Sequence, residues 1–375
     1  MEKLNLITLS IPAFFILIGI ELLFDKLRKS RLYRFNDTVS NLNAGIVSQV
    51  VGVFTKFATI GVYIWLYDHV RIFKNIPNNW FTYILLFIGV DFFYYWFHRL
   101  SHEVSVLWAT HVVHHQSEDY NLSVALRQSA TQNFGSFWFY LPLAIIGFTP
   151  QLFITIAAVQ TLYQFWIHTR VINKMPAWFE YIFNTPSHHR VHHGVNPKYI
   201  DRNHGGTLII FDRIFGTFQD EEEQVHYGIT SQLQSWNIAV ANFDYYAWIG
   251  QQLRKVKNPK DFLYVLVKPP GWRPEYLGGA ITPKEIEADR KLYDAQSNRK
   301  IHIYIMAQFV LLLAFTSFFL FGIEKFSDMQ KYVAMVFIIY TTINLGALFE
   351  NKNWAKIAEP IRLLVIIPVL YFLLH

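Results

Sequence analysis

Fifteen histidines occur in this 375-residue chain, and eleven of them fall between His98 and His204. Three segments set the pattern: His98-Arg-Leu-Ser-His102, His111-Val-Val-His114-His115 and His189-Arg-Val-His192-His193. Spacings of three and four residues put side chains on one helical face, so each segment presents two or three imidazoles in a common direction. Neutral imidazole ligates zinc, copper, iron and nickel. Eight such ligands are too many for one ion and predict two. The chain has no cysteine, which removes iron–sulfur clusters, thiolate haem, zinc-thiolate sites and cysteine nucleophiles. Structural zinc sites usually draw on Cys, and dinuclear hydrolytic zinc usually adds a bridging carboxylate. An all-imidazole set with open positions beside lipid fits iron or copper oxygen chemistry better. The reaction this suggests is attack on an unactivated C–H bond, for which acid–base groups alone are inadequate.

Other residues are placed by their distance from these segments. His168, in Trp166-Ile-His168-Thr-Arg170, ends an apolar run on the same side of the membrane and is a further candidate ligand. His188 precedes His189 and points some 100° round the helix, toward a supporting or solvent-facing role. His204, in Asn203-His204-Gly205-Gly206, reads as a supporting residue. His69, His226, His302 and His375 read as loop or terminal residues. Asp91 is an acid within an apolar run, a functional candidate by default. At about 1.5 Å per residue it lies roughly 10 Å from His98, so it orients a ligand from another helix or lines the substrate path. Asp91, Glu103 and His188 are the candidate catalytic residues beside the metal. Glu103, Glu118 and Asp119 border the histidines and are the candidates to hold a cofactor.

The elements that must carry these residues are membrane spans. Of the residues 53% are hydrophobic and 16% charged, against roughly 25% charged in a soluble domain; mean hydropathy is +0.21. Disorder, fibrous repeats and a disulfide scaffold are excluded. The net charge of +6 reads as cytoplasmic loops against anionic lipid rather than a nucleic-acid surface. A bilayer core needs about 20 apolar residues per helix. Runs at 4–23, 44–66 and 80–97 meet this, the third passing directly into His98. A signal peptide is not expected at the first, because its charges follow the apolar run. Shorter runs at 134–148 and 152–167 read as a helical hairpin that turns back within the membrane. Further spans are expected at 301–323, 332–349 and 361–374. Thr185 as N-cap and Pro186 at the first helical position fix where the third histidine segment begins. The Lys and Arg balance of the short loops puts 26–34 and 352–362 in the cytoplasm, and all eleven clustered histidines with them.

At these residues the chain resembles the fatty acid hydroxylase superfamily of membrane di-iron enzymes, whose pattern is H-x3–4-H, H-x2–3-H-H, H-x2–3-H-H. HEVSVLWATHVVHHQSEDYNLSVALRQS from His102, FWIHTRVI from Phe165, TPSHHRVHHGVNPKYIDRNHGG from Thr185 and FDRIFGTF from Phe211 resemble its alkylglycerol monooxygenase branch. The likeness is strongest from about 91 to 218 and fades in the C-terminal spans. It implies iron ligation by His98, His102, His111, His114, His115, His189, His192 and His193. It also implies oxygen-dependent hydroxylation of an ether-linked lipid carbon, with tetrahydrobiopterin supplying electrons. Glu103 stands where this branch also carries a Glu, implying a pterin contact. His204 departs from the family, which more often has Tyr or Phe there.

The reading is therefore an all-α, multi-pass bundle with a cytoplasmic helical lobe. It comprises N-terminal spans at 1–97, a histidine-rich catalytic region at 98–230 that includes the hairpin 134–167, a cytoplasmic extension at 231–300, and C-terminal spans at 301–375. Two iron ions, dioxygen and tetrahydrobiopterin are the expected cofactors and co-substrate. A membrane lipid is the expected substrate, with a reduced pterin or redox protein as electron donor. The membrane is a bacterial inner membrane or the endoplasmic reticulum. The rival on the same scaffold is a sterol or fatty acyl hydroxylase or desaturase. From other classes come a metal transporter, whose ligands would spread through the membrane depth, and a non-catalytic metal-binding protein, which would consume no oxygen with lipid.

Overall fold

The computed structural model describes residues 6–282, 290–294 and 297–375. Within them fourteen α-helices follow in order: α1 (Leu6–Arg28), α2 (Phe35–Val70), α3 (Trp80–Glu103), α4 (Ser105–His115), α5 (Gln132–Ile146), α6 (Pro150–Trp166), α7 (Ala177–Ile182), α8 (Pro186–His192), α9 (Ile210–Phe215), α10 (Ile238–Leu253), α11 (Pro259–Val267), α12 (Arg299–Phe321), α13 (Asp328–Phe349) and α14 (Asn353–Leu374). No strand occurs among the described residues; one isolated antiparallel bridge joins Phe183 to Leu208. The all-α reading holds.

Among the described residues five helices are long and apolar enough to cross a membrane: α2, α3, α12, α13 and α14. The α5–α6 pair, of 15 and 17 residues, turns back as the sequence suggests, but it is not a tight hairpin: α5 packs mainly on α2 and α3, and α6 mainly on α3 and α1. Its turn is fixed locally, by Pro150 at the start of α6 and by Thr149, whose side chain accepts from the Leu152 amide. Asn79 likewise opens α3 by accepting from the Thr82 amide at 3.0 Å, and Ser327 with Gln330 forms a reciprocal capping box at α13.

Packing assigns the spans to a common end. Helix α3 lies against α4, α5 and α6, and α2 against α5 and α13. Gly135 permits a close approach of α5 to α4, since a Cβ there would meet Thr110 Oγ1 at 2.4 Å. It brings α5 directly onto the helix that carries His111, His114 and His115. The far ends of α2 and α5 are joined by amides of Ile72 and Phe73 donating to the carbonyls of Ile145 and Ile146. The C-terminus of α3, the N-termini of α2 and α5 and the C-terminus of α6 therefore share the opposite end, where the histidine segments lie.

Two differences from the sequence reading concern length. Helix α2 begins nine residues before the apolar run at 44–66, because Asn36, Asp37, Asn41 and Asn43 are buried against neighbouring loops rather than solvated. Asn41 Nδ2, for example, donates to Asp37 Oδ2 at 2.9 Å and to Ser123 Oγ at 3.1 Å. Helix α14 begins at Asn353 rather than near 361, and its early turns hold Glu359 and Arg362 in a buried ion pair that Asn344, Tyr304 and Gln308 also join.

Candidate metal centre

The three segments converge. Helix α3 carries His98 and His102, α4 carries His111, His114 and His115, and the short helix α8 carries His189 and His192, with His193 at its C-cap. Pro186 occupies the first position of α8 as the sequence predicts. Thr185 has the extended N-cap backbone, but its hydroxyl bonds Glu180 Oε1 at 3.1 Å instead of capping. Helix α8 is held instead by Arg190, which binds Glu221 at 2.6 and 2.8 Å and the carbonyls of Thr169, Ile172 and Asn173. That clamp fastens α8 to the segment just after His168.

Nine imidazoles sort into two groups, all buried. His98, His102, His111, His115 and His192 form one; His114, His168, His189 and His193 form the other, and within each the ligand-capable nitrogens lie within 4.8 Å of one another. The division cuts through the motifs. In α4, His111 and His115 are one turn apart and serve the first group, while His114 faces the second. In the third segment, His189 and His193 serve the second group and His192 reaches across to the first. The groups touch: the rings of His115 and His193 stack with centroids 4.3 Å apart. No carboxylate belongs to either group among the described residues.

Hydrogen bonds fix which nitrogen each ring offers. His98 Nδ1 donates to the His204 carbonyl at 2.8 Å, His114 Nδ1 to the Arg127 carbonyl at 2.9 Å, His168 Nδ1 to the Gln164 carbonyl at 2.8 Å, and His192 Nδ1 to the Arg202 carbonyl at 3.0 Å. A carbonyl accepts only, so these four rings carry their proton on Nδ1 and present Nε2 as a lone pair. The Nε2 atoms of His114 and His168 then face each other at 3.3 Å with no proton between them. Similar contacts join His98 Nε2 and His115 Nε2 to His111 Nε2, both at 3.1 Å, and His189 Nε2 to His168 Nε2 at 3.0 Å. The buried Nε2 atoms of His102, His192 and His193 have no hydrogen-bond partner among the described residues. Facing lone pairs repel, and an unpaired buried nitrogen costs about 1–3 kcal/mol. A cation answers both, since two nitrogens each about 2.1 Å from one ion stand about 3 Å apart at a near-right angle. The donor set fits two metal ions.

Burial keeps the rings in the ligating form. Desolvation first, and neighbouring imidazoles second, hold His115 and His193 well below the ordinary imidazole range, and burial brings His114 down to about 4. They are neutral at pH 7.

The carboxylates named from the sequence surround this centre without entering it. Asp91 Oδ1 and Oδ2 accept from the amides of Thr207 and Leu208, both at 2.8 Å. Asp212, which sequence reasoning did not single out, accepts from the amides of His204 and Gly205, both at 2.7 Å. These acids clamp the 204–208 loop, whose His204 carbonyl sets the tautomer of His98. Gly206 lets the loop approach, because a Cβ would stand 2.8 Å from Asp91 Oδ1. Glu103 pairs with Arg99 at 2.9 Å. Glu118 lies among Arg34 and Arg290 and accepts from the Tyr293 amide at 2.6 Å, and Asp119 pairs with Arg34 at 2.9 Å. His188 rests edge-on to Phe218, outside both groups. His204 is buried beside the first group, its ring 5.2 Å from that of His102.

A cavity of about 690 Å³ runs between α1, α2, α5, α6 and α12 and ends on His111, His114 and His168. It thus meets both groups.

With this geometry in place, comparison with known proteins is decisive. The fatty acid hydroxylase family model matches residues 83–217, the stretch that supplies every residue of both groups. Alkylglycerol monooxygenase of Danio rerio is 37% identical over 367 residues, covering 97% of this chain and 81% of that protein. The chain belongs to the alkylglycerol monooxygenase family. The human family member is 37% identical over 366 residues, covering 96% of this chain and 81% of its own. An ornithine lipid hydroxylase of Rhizobium tropici is 29% identical over 157 residues, covering 38% of this chain and 44% of its own. No solved structure matches. As a member of this family the protein is an oxidoreductase and, with five helices among the described residues long and apolar enough to cross a membrane, an integral membrane protein.

Proposed function

We propose that this protein is a membrane di-iron monooxygenase that hydroxylates the ether-linked carbon of an alkylglycerol lipid. The observation that carries this reading is the convergence of nine buried imidazoles on two centres, with the His114 and His168 Nε2 lone pairs facing, at the end of a lipid-sized cavity. His98, His102, His111, His115 and His192 hold one iron; His114, His168, His189 and His193 hold the other. When bound, the two ions supply activation of dioxygen, with electrons from a reduced pterin such as tetrahydrobiopterin.

The protein's own work is positional. Backbone carbonyls of Arg127, Gln164, Arg202 and His204 keep the ring protons on Nδ1 and the Nε2 atoms free. Asp91, a positioning residue in this reading, acts through the 204–208 loop on His98. The cavity admits the lipid from the bilayer and brings one carbon to the His111–His114–His168 end. Aromatic rings around the imidazoles, including Trp108 against His102 and Tyr120 against His168, keep water off the centre. The product bearing hydroxyl on the ether carbon is a hemiacetal. Its hydroxyl loses a proton, the C–O bond to glycerol breaks, and that oxygen takes up the proton, giving a fatty aldehyde and a glycerol alcohol. Glu103, beside α4 and half-exposed, is proposed as the pterin contact; Glu118 and Asp119 support the adjoining loop through Arg34. The basic segment 26–34 lies at the histidine end, where Arg34 pairs with Asp119, and this supports a cytoplasmic position for the centre.

The test is turnover of purified protein in detergent or nanodiscs, loaded with iron and supplied with oxygen and an alkylglycerol. Aldehyde release dependent on both iron and reduced pterin is expected. Iron-loaded protein that consumes no oxygen with ether lipids, yet hydroxylates or desaturates a sterol or fatty acyl chain, would overturn the substrate assignment.

A further inference from the structure

Lys56 is an ammonium on a membrane-spanning helix, and nothing in the account above uses it. It lies in α2 within the span and lines the cavity that ends at the metal centre. Its stem folds back over Gly52, one turn nearer the histidine end. A Cβ at Gly52 would sit 3.4 Å from Lys56 Cε and 3.7 Å from both Lys56 Nζ and Asn133 Nδ2. Asn133 follows Gln132, whose side chain approaches the His111 ring. Lys56 Nζ therefore stands level with the first turn of α5, the turn that carries Gln132 and Asn133. Among the described residues it has no hydrogen-bond partner and no carboxylate. A charge in a spanning segment is costly, and such residues normally face a partner or mark a substrate path. A lysine placed only to reach water would hold its ammonium clear of the bundle; here the side chain lines the cavity, with its ammonium beside Gly52 and Asn133.

The shape of the substrate explains the need. If the ether-linked carbon is to reach His111, His114 and His168, the glycerol must be received beside the metal centre and not at the bilayer surface. The group on the third glycerol carbon is only a few bonds further on. Gln49, Lys56, Gln132 and Asn133 make a polar band there on α2 and α5, while Phe153 and Leu320 line the cavity beyond it. We propose that Lys56 receives an anionic headgroup, so that the cavity prefers a single-chain ether lipid whose glycerol carries a phosphate ester. This rests on the ether-lipid reading for the identity of the chain, and on charge complementarity for the headgroup.

The test measures equilibrium binding, so it needs no turnover. A fluorescent single-chain lipid is displaced from the purified full-length protein by 1-O-hexadecylglycerol, its 3-phosphate monoester or its phosphocholine ester. Wild type is expected to bind the monoester at least tenfold more tightly than the neutral alkylglycerol, with the zwitterion between them. Lys56→Met and Lys56→Gln should weaken the monoester at least tenfold and leave the neutral lipid within twofold, while Lys56→Arg keeps the preference. Unchanged neutral-lipid binding in the variants serves as the control for folding. Equal wild-type affinity for neutral and phosphorylated lipid would overturn the inference without any variant. So would a Lys56→Met protein that loses both equally. Phosphate-selective binding without ether cleavage would instead refute the enzymatic reading and leave this one standing.

Discussion

At the scale of single residues, the division of labour among the histidines is set by what occupies the second ring nitrogen. His168 shows this most clearly. It lies outside the three repeated segments, yet its Nδ1 is committed to the Gln164 carbonyl and its Nε2 faces those of both His114 and His189. His168→Ala is therefore expected to lower bound metal by about one ion per chain by elemental analysis. His188→Ala, whose ring rests on Phe218, should retain both. Equal loss in the two variants would show that any buried histidine matters alike. Asp91 acts at one remove. Asp91→Ala frees the Thr207 and Leu208 amides and loosens the carbonyl that orients His98. Loss of such an outer partner typically costs about 10–100-fold in metal affinity or activity, to be read from metal titration of the variant. The pattern of three- and four-residue spacings made eight of the nine rings legible in the sequence, and His168 was marked only by its place at the end of an apolar run. The partition of the rings was not legible. His114 and His115 are neighbours in the chain and serve different groups, because a helix turns them about 100° apart and only the position of α8 decides what each meets. Asp212 and Lys56 carry no motif at all; their meaning comes from a loop and a cavity that the sequence does not display.

At the scale of elements, periodic apolar runs reported the spans and missed their polar extensions. The first turns of α2 are polar, and hydropathy alone ends the helix near residue 44. In the fold those side chains are buried against the loop at 117–123: Ser117 and Asn41 both bind Asp37 Oδ2. The same loop is tied to α1 through Glu21, which accepts from the Leu122 amide at 2.8 Å and also binds Tyr33 and Thr169. Each histidine-bearing helix is thus anchored by neighbours that contribute no ligand. The contact between α4 and α5 passes through Gly135, which faces Thr110. Gly135→Val must separate the helices or displace Thr110. Overpacking of this kind costs about 1–3 kcal/mol. A lower thermal midpoint with a matching loss of metal is expected, and a midpoint equal to wild type would show that the two helices are free to part.

Considered as a whole, the molecule places a buried, imidazole-lined centre at one end of a bundle and a lipid-sized cavity leading to it from the spans. The cavity gives the bundle a ruler. Ala158 lies on α6, ten residues before His168 and about 15 Å away along a helix axis, and lines the path. Ala158→Phe is expected to shift turnover toward shorter alkyl chains while leaving short-chain rates close to wild type. An unchanged chain-length profile would place the alkyl tail elsewhere. The central claim, however, is that two groups of imidazoles grip two separate ions. Metal content per chain, measured on purified wild type beside His98→Ala and His114→Ala, tests it most directly. About two ions are expected in wild type and about one in each variant, because the substitutions strike different groups. A wild-type chain that holds one ion or none after iron loading would contradict the account.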